Sequence, residues 1–514
     1  MIRGFPNVPG EAVSVEYGRG AHPAADKGLK RALERSETEW RVERTADRQD
    51  DESHMNKRDK RLVFVAVSCA SFLATYTGSA INVALPAIGA EFGMNHARLQ
   101  YIVSAYVMMN AVLLVPFGRL ADIYGRRIFF HVGMVLFLAT HVVCAFAPNG
   151  WVLIAGRGAG GIAAAMFFSN TIAILSSVFD PFERGKILGL NVSITYIGLT
   201  IGPFLGGVLT SWWGWRSVFL SVVPLVIIGF SLAWWKLPRD FRREPSTAFN
   251  LSGSAQYIIM LVLVILGLSA LPGMKGVLAI GAGTVLAAFF FRGDSRAAAP
   301  LMDVRRFQGN RVFVLSNLAN FIQYLSAFAT SFLLSLFLQN DRIKDLTPHA
   351  AGIILLAQPL VQALFSPLAG ALSDRFEARW IASGGMAVTA AGLLSFSFLS
   401  PSAPVYLIVM ILVCQGIGFA FFSSPNNNMI MGSVSSDVYG IASGILATGR
   451  ALGMSLSLAT TAVVFNFFNS YGERPDAFLN SFHALFAIFF LLSLLGIASS
   501  AARGKVRVRS VARN

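Results

Sequence analysis

The chain has 514 residues, 54% of them hydrophobic and only 13% charged. A soluble protein of this length carries about 25% charged residues, so there is too little polar surface here for a water-soluble particle. The net charge of +15 is scattered through short loops, which reads as membrane topology and not as a nucleic-acid surface.

Residues 1–55 are polar, mixed in charge and lack an apolar core. They read as a disordered cytoplasmic tail or as an over-extended start ahead of Met55; a surface helix over the stretch Asp26–Gln49 is the alternative. No apolar h-region marks a secretory signal. Fourteen apolar spans follow, beginning near residues 62, 100, 128, 151, 186 and 217, then 253 and 274, then 312, 350, 381, 404, 440 and 480. Each run is roughly 20 residues, the length that crosses ~30 Å of hydrocarbon as a helix. A backbone in lipid must satisfy its own hydrogen bonds, so each span is expected to be helical. Ten-residue alternating patterns, the mark of a membrane β-barrel, are absent. Lys and Arg gather before span 1 and in alternate loops after it, which predicts that both termini are cytoplasmic. The loop after span 12, near Asp437, has no basic residue and is the exception. Cys69, Cys144 and Cys414 all fall inside apolar runs, so neither a disulfide framework nor a CxxC metal site is expected.

In span 1, Ser68, Ser71, Thr75, Ser79 and Asn82 recur every three or four residues and form one stripe. Between spans 2 and 3 lies "GRLADIYGRR", residues 118–127. Gly118 and Gly125 permit close approach and a tight turn. Asp122 can pair with Arg126 or Arg127, or face the N-terminus of a neighbouring helix. Contacts of this kind would form only when the cytoplasmic side is closed, and so would set the balance between two states. A solvated acid in an ordinary positive-inside loop is the alternative. His141 in span 3 is a candidate proton carrier, or a packed core histidine. In span 4, "LIAGRGAGGIAAAM" (153–166) holds Arg157 among small residues. A central arginine costs roughly 2.5–3.5 kcal/mol to insert, so Arg157 is expected at a water-filled path or a polar partner; near the span start it could instead snorkel to the surface. Span 5 carries "GLTIGPFLGG" (198–207), whose Gly198, Gly202, Pro203, Gly206 and Gly207 make a thin, kinkable helix.

Spans 7 and 8 stand apart as an inserted hairpin. After span 10, "GALSDRFEAR" (370–379) echoes the earlier loop, with Asp374 and Arg375 matching its acid and the position that follows. Gly185, Gly189 and Gly198 of span 5 match Gly440, Gly444 and Gly453 of span 13 in spacing. Spans 1–6 and 9–14 therefore look like related halves, the design of a carrier whose bundles expose one site to either side. Boundaries follow: 1–55 tail, 56–240 first six-span bundle, 241–300 linker with two extra spans, 301–502 second bundle, 503–514 basic cytoplasmic tail. Asn317, Asn320 and Tyr324 share a face of span 9, Gln358 and Gln362 are one turn apart in span 10, and Arg450 lies in span 13. These groups, with Thr75, Ser79, Asn82 and Arg157, are the candidate substrate path; interhelical hydrogen bonding is the alternative use of each. A path rich in amides and aromatics and poor in acids suits neutral, amphipathic or anionic compounds better than strongly cationic ones. No GxxxxGK[ST] loop, HExxH or clustered metal ligands occur.

Together these stretches resemble the major facilitator superfamily, and within it the fourteen-span drug:proton antiporter branch. "GRLADIYGRR" matches the loop pattern G-x-L-x-D-r-x-G-r-r, with Ile123 where arginine is common; in the echo, Glu377 replaces the second glycine. Arg157 falls on the arginine of the span 4 motif, with Gly160 where glutamine is frequent, and "GLTIGPFLGG" matches the antiporter motif G-x-x-x-G-P-x-x-G-G at every fixed position. "INVALPAI" (81–88) and "SPNNNMIMGSV" (424–434) also look like this branch. One position departs: Thr77 stands where members commonly carry an acid, and threonine does not titrate in the relevant range. The resemblance implies an all-α polytopic membrane protein with two six-helix bundles plus an inserted two-helix hairpin. It implies a secondary active transporter of the cell (inner) membrane that exports small organic or drug-like compounds by alternating access, with proton antiport. An uptake carrier or facilitator without proton coupling is the alternative, and a non-transporting membrane sensor is one of another class. The expected partners are a small-molecule substrate, protons and the lipid bilayer, with no nucleic acid; a monomer, no cofactor and no enzymatic activity are expected.

Overall fold

A computed structural model describes residues 55–179, 181–238, 249–271, 273–297, 300–301, 307, 309–434, 439–469 and 477–504. The expectations for residues 1–54 and 505–514 lie outside the described residues. Fourteen helices are long and apolar enough to cross a membrane, and no strand occurs among the described residues. They are α1 Lys57–Phe92, α2 His96–Tyr124, α3 Arg126–Ala145, α4 Gly150–Val178, α5 Pro181–Trp213, α6 Arg216–Lys236, α7 Leu251–Ser269, α8 Met274–Asp294, α9 Arg311–Gln339, α10 Pro348–Arg375, α11 Ala378–Ser397, α12 Val405–Gly432, α13 Tyr439–Asn469 and α14 Ala477–Ala502. Each starts within one or two turns of the expected position. At the head of α1 the Asp59 amide donates to the Asn56 carbonyl at 2.8 Å.

Three spans are broken where the sequence leads one to expect a continuous helix; in α6 the break is the single residue Ser221, whose hydroxyl donates to the Val218 carbonyl at 2.8 Å. In α4 the break falls at Ser169–Asn170, where Asn170 Nδ2 donates to the Met166 carbonyl at 2.7 Å. In α9 it falls at Phe328–Ala329, where the Ala329 amide donates to Ser457 Oγ of α13 at 3.2 Å. Side chains thus satisfy backbone groups that lipid could not.

The helices pack as two mirrored sets. In the first, α4 lies against α2 and α3, and α3 against α6; in the second, α12 lies against α10 and α11, and α11 against α14. The glycines paired by spacing repeat this symmetry. A Cβ on Gly198 of α5 would stand 2.6 Å from the Phe72 carbonyl oxygen of α1; one on Gly453 of α13 would stand 2.5 Å from the Phe321 carbonyl oxygen of α9. Only a residue without a side chain allows either approach.

The bundles meet along two seams, α2 against α13 and α5 against α10. Helices α7 and α8 pair with each other, and α7 lies against α2 and α13, so the inserted hairpin covers one seam. There Asn466 Nδ2 of α13 donates to the Ser269 carbonyl at 3.2 Å. Only 17% of the central window of α8 is buried, which leaves Val277, Leu278, Val285 and Phe289 to face the acyl chains.

Candidate functional site

At mid-depth, α5, α9, α12 and α13 bring polar groups to the junction of the bundles. The Arg450 guanidinium of α13 stands 5.2 Å from the ring centroid of Tyr324 of α9. Tyr196 of α5, from the opposite bundle, lies beside this pair, and its phenol shares a 2.9 Å hydrogen bond with Ser423 Oγ of α12. Arg450 Nε is buried and has no hydrogen-bond partner. Close by, Asn320 Nδ2 donates to the Leu446 carbonyl at 3.3 Å, and Asn317 Nδ2 turns back to the Phe313 carbonyl at 2.9 Å, leaving Asn317 Oδ1 without a partner. On α10, Gln358 is half-buried and Gln362 is buried, its Nε2 without a partner.

The α1 stripe is used differently. Thr75 Oγ1 donates across to the Thr195 carbonyl of α5 at 2.9 Å, and Ser79 Oγ reaches the Gly198 carbonyl at 3.5 Å. Asn191 Nδ2 of α5 holds Ser68 and Ser71 at 3.1 and 3.2 Å. These hydroxyls are spent on the α1–α5 contact. Asn82 is buried; its carbonyl accepts from Ser335 Oγ of the other bundle at 2.6 Å, while its Oδ1 has no partner.

Arg157 is 1% exposed, far from a snorkelling position. Its Nε donates to the Ile102 carbonyl of α2 at 3.2 Å, and its guanidinium lies 4.3 Å from the Tyr106 ring centroid. Tyr106 in turn donates to the Ala74 carbonyl of α1 at 2.9 Å. This arginine therefore knits α1, α2 and α4 together, and its Nη2 remains without a hydrogen-bond partner. His141 is buried on Phe137, with ring centroids 4.1 Å apart; its Nδ1 meets the Phe137 carbonyl at 2.7 Å and its Nε2 has no partner. Thr77 is buried, and its hydroxyl too is without a partner.

The loop motif closes α2 and opens α3 with one residue, Gly125, at φ +112. A β-carbon is disfavoured at that angle, so glycine makes this one-residue turn. Asp122 binds Arg126 through Nε at 2.8 Å and Nη2 at 2.6 Å. Arg126 Nη1 reaches the Ala173 carbonyl of α4 at 3.5 Å, and Arg127 Nη2 donates to the Trp234 carbonyl of α6 at 2.8 Å. Gly118 passes Ser169 closely at the α4 break. The motif thus straps the ends of α2, α3, α4 and α6 within one bundle. In the echo, Arg375 is exposed at the end of α10, and the Asp374 side chain lies outside the described residues. There Glu377 pairs with Arg379 at 3.1 Å, which lies 4.6 Å over the Trp380 ring. Next to it Arg503 is buried inside the second bundle, although the sequence assigns it to the tail. It bonds Ser316 Oγ of α9 at 3.1 Å, Asn426 Oδ1 of α12 and Ser500 of α14. Burial, then neighbouring Arg379, lowers its pKa to about 10, so it stays charged at neutral pH.

Hydrogen bonds between the bundles cluster at the end opposite these loops. Gln100 Nε2 of α2 donates to the Leu458 carbonyl of α13 at 2.7 Å, Gln339 Nε2 of α9 to the Val83 carbonyl of α1 at 3.1 Å, and the His349 amide of α10 to Ser211 Oγ of α5 at 3.1 Å. The α5 stretch is pressed from both sides. Gly198, Gly202 and Gly206 leave no room for a Cβ against α1, and one on Gly207 would stand 2.5 Å from the Pro348 carbonyl oxygen of α10. Across the same seam the Pro203 carbonyl oxygen fills the place where Gly352 would carry a side chain.

The profile of the Major Facilitator Superfamily matches residues 67–291 and 317–510. The chain belongs to the Major Facilitator Superfamily. It is similar to the riboflavin transporter RibZ of Clostridioides difficile (strain 630), with 29% identity over 81% of this chain and 91% of the relative. It is also similar to the multidrug resistance protein Stp of Mycobacterium tuberculosis (strain CDC 1551 / Oshkosh), with 28% identity over 79% of this chain and 76% of the relative. Among solved structures, a bacterial homologue of the human lysosomal transporter Spinster superposes with a TM-score of 0.64 at 16% identity, covering 87% of this chain and 98% of that one. Fold and relatives alike are those of membrane transporters. Within this superfamily fold, Tyr196, Ser423, Asn426 and Arg503 were not singled out from sequence: a tyrosine or serine inside an apolar span looks the same whether it lines a path or fills a core. Asn426 had one visible signal, its place in the "SPNNN" stretch.

Proposed function

We propose that this transporter exports small organic or drug-like compounds across the cell membrane by alternating access, driven by the proton gradient. The observation that carries the reading is the double-sided packing of the α5 Gly–Pro stretch against α1 of its own bundle and α10 of the other. A helix of this kind lets the bundles close tightly at one end while a polar site persists at mid-depth. Likeness to a multidrug resistance protein supports export. With the basic loops in the cytoplasm, the end joined by Gln100, Gln339 and His349 is the outer one, so this arrangement corresponds to a carrier closed on its outer side. The Asp122–Arg126 and Arg127–Trp234 contacts are already formed within the first bundle, so they do not await closure; in the outward-open state this strap would meet Asp374 and Arg375 at the cytoplasmic rim. Arg157, Tyr324, Arg450 and the amides of α9 and α10 would serve the path. Deletion and overexpression strains, challenged with a panel of toxic compounds, test this. At least one compound should accumulate more in the deletion strain and less on overexpression; unchanged accumulation across the panel defeats the export reading.

A second reading, an uptake carrier or facilitator without proton coupling, draws on Thr77, a buried threonine where an acid is common. The carboxylates described within the helices sit near the helix ends, as Asp59, Glu91, Asp122 and Asp294 do. Reconstituted vesicles with an imposed pH gradient separate the two. Gradient-dependent pumping supports antiport, and equilibration indifferent to the gradient supports the facilitator.

A further inference from the structure

The charge balance at mid-depth is unusual. Arg450 sits eleven residues into α13 from Tyr439, at the same depth as Tyr324 in the middle of α9 and Tyr196 in the middle of α5. An arginine this deep in a membrane is costly unless an acid, a carbonyl or water compensates it. Arg157 meets part of that need inside its own bundle, through the Ile102 carbonyl and the Tyr106 face. Arg450 is placed otherwise. It is half-buried, its Nε has no partner, and its described aromatic contact is the Tyr324 face. It stands at the junction of the bundles, where Tyr196 approaches from the other side. Among the described residues no ion pair joins Arg450 to an acid, since the pairs recorded are Asp122–Arg126, Glu91–Arg216 and Glu377–Arg379.

We propose that Arg450 is the recognition group for an anionic cargo, and that the compound carried is an organic acid whose carboxylate docks on the guanidinium while its aromatic or apolar body packs against the touching phenols of Tyr324 and Tyr196. The guanidinium offers a planar fork of donors that matches a carboxylate. Two phenol rings from opposite bundles flank it, so a bound acid would touch both halves and link its binding to their movement. The site rests on the transport reading above. It deepens that reading by naming the substrate class, and it departs from a path built for cationic drugs, which would place carboxylates at mid-depth.

The test is binding to the full chain in detergent micelles, followed by isothermal titration calorimetry. The probes are aromatic acids, each paired with its amide: benzoate with benzamide, 2-naphthoate with 2-naphthamide, indole-3-acetate with indole-3-acetamide. For at least one pair the carboxylate should bind roughly tenfold more tightly, since charge-assisted hydrogen bonds are about twice as strong as neutral ones. Arg450→Gln should abolish that preference. Arg450→Lys should keep part of it, because the charge remains while the fork is lost. The proposal is overturned if no acid binds more tightly than its amide, a result that needs no variant to fold. It is equally overturned if Arg450→Gln elutes as a folded monodisperse species and keeps the preference. Because binding is read without transport, failure here leaves the export reading standing. A carboxylate preference without any change in cellular accumulation would uphold the site and defeat export.

Discussion

If the rim reading holds, Asp122 matters more to transport than to folding. Its ion pair with Arg126 bridges the Gly125 turn between α2 and α3 and is partly exposed, with side chains 24% and 18% accessible. Partly exposed pairs of this kind contribute only ~0.2–1 kcal/mol. Asp122→Asn is therefore expected to insert and purify like the parent, yet to lose at least about tenfold in transport rate, because Arg126 then lacks the anchor that aims it at α4. Transport of the variant in inverted vesicles, alongside its melting temperature, checks this; full activity would remove the rim from the mechanism. Arg503 makes the complementary point. Its partners come from α9, α12 and α14, which lie far apart in sequence, so local reading placed it in the tail. Hydropathy marks where a chain leaves the membrane, but not whether the residue that follows folds back into the bundle.

Among the helices, positions were legible because apolar length alone sets them, and the start of every span lay close to its expected place. Breaks were not legible. Nothing around Ala329 signals one, since the group that satisfies its amide is Ser457, 128 residues away. The same limit applied to the α1 stripe, whose three- and four-residue spacing correctly indicated a shared face but not that α5 covers it. The α5 glycines were readable as close-packing positions, and the structure supplies the partner atoms. This yields a paired prediction. A methyl on Gly206 would meet the Ala80 carbonyl oxygen, whereas a methyl on Gly444 of α13 would find nothing within 4 Å. Overpacking of this kind costs typically 1–3 kcal/mol. Gly206→Ala is thus expected to lower the thermal midpoint by several degrees and Gly444→Ala to leave it unchanged, as measured by fluorescence-detected unfolding in micelles. Equal midpoints would mean that α5 is not held against α1.

For the whole molecule, the α7–α8 hairpin lies over the α2–α13 seam, so it borders one of the two lines along which the bundles would part. The exposed tryptophans lie near helix ends, Trp212 and Trp213 on α5 and Trp234 and Trp235 on α6, where indole rings favour the headgroup layer. Between those levels the bundles are joined at one end by Gln100, Gln339 and His349, and the central claim is that these contacts must break in every transport cycle. Cysteines replacing Ser211 and His349, in a background without Cys69, Cys144 and Cys414, test it most directly, because the Ser211 hydroxyl and the His349 amide lie 3.1 Å apart. With a compound found in the accumulation screen, oxidation should stop transport and reduction should restore it. Undiminished transport by the cross-linked protein would contradict the account, since a molecule that works with this end locked does not alternate between its two faces.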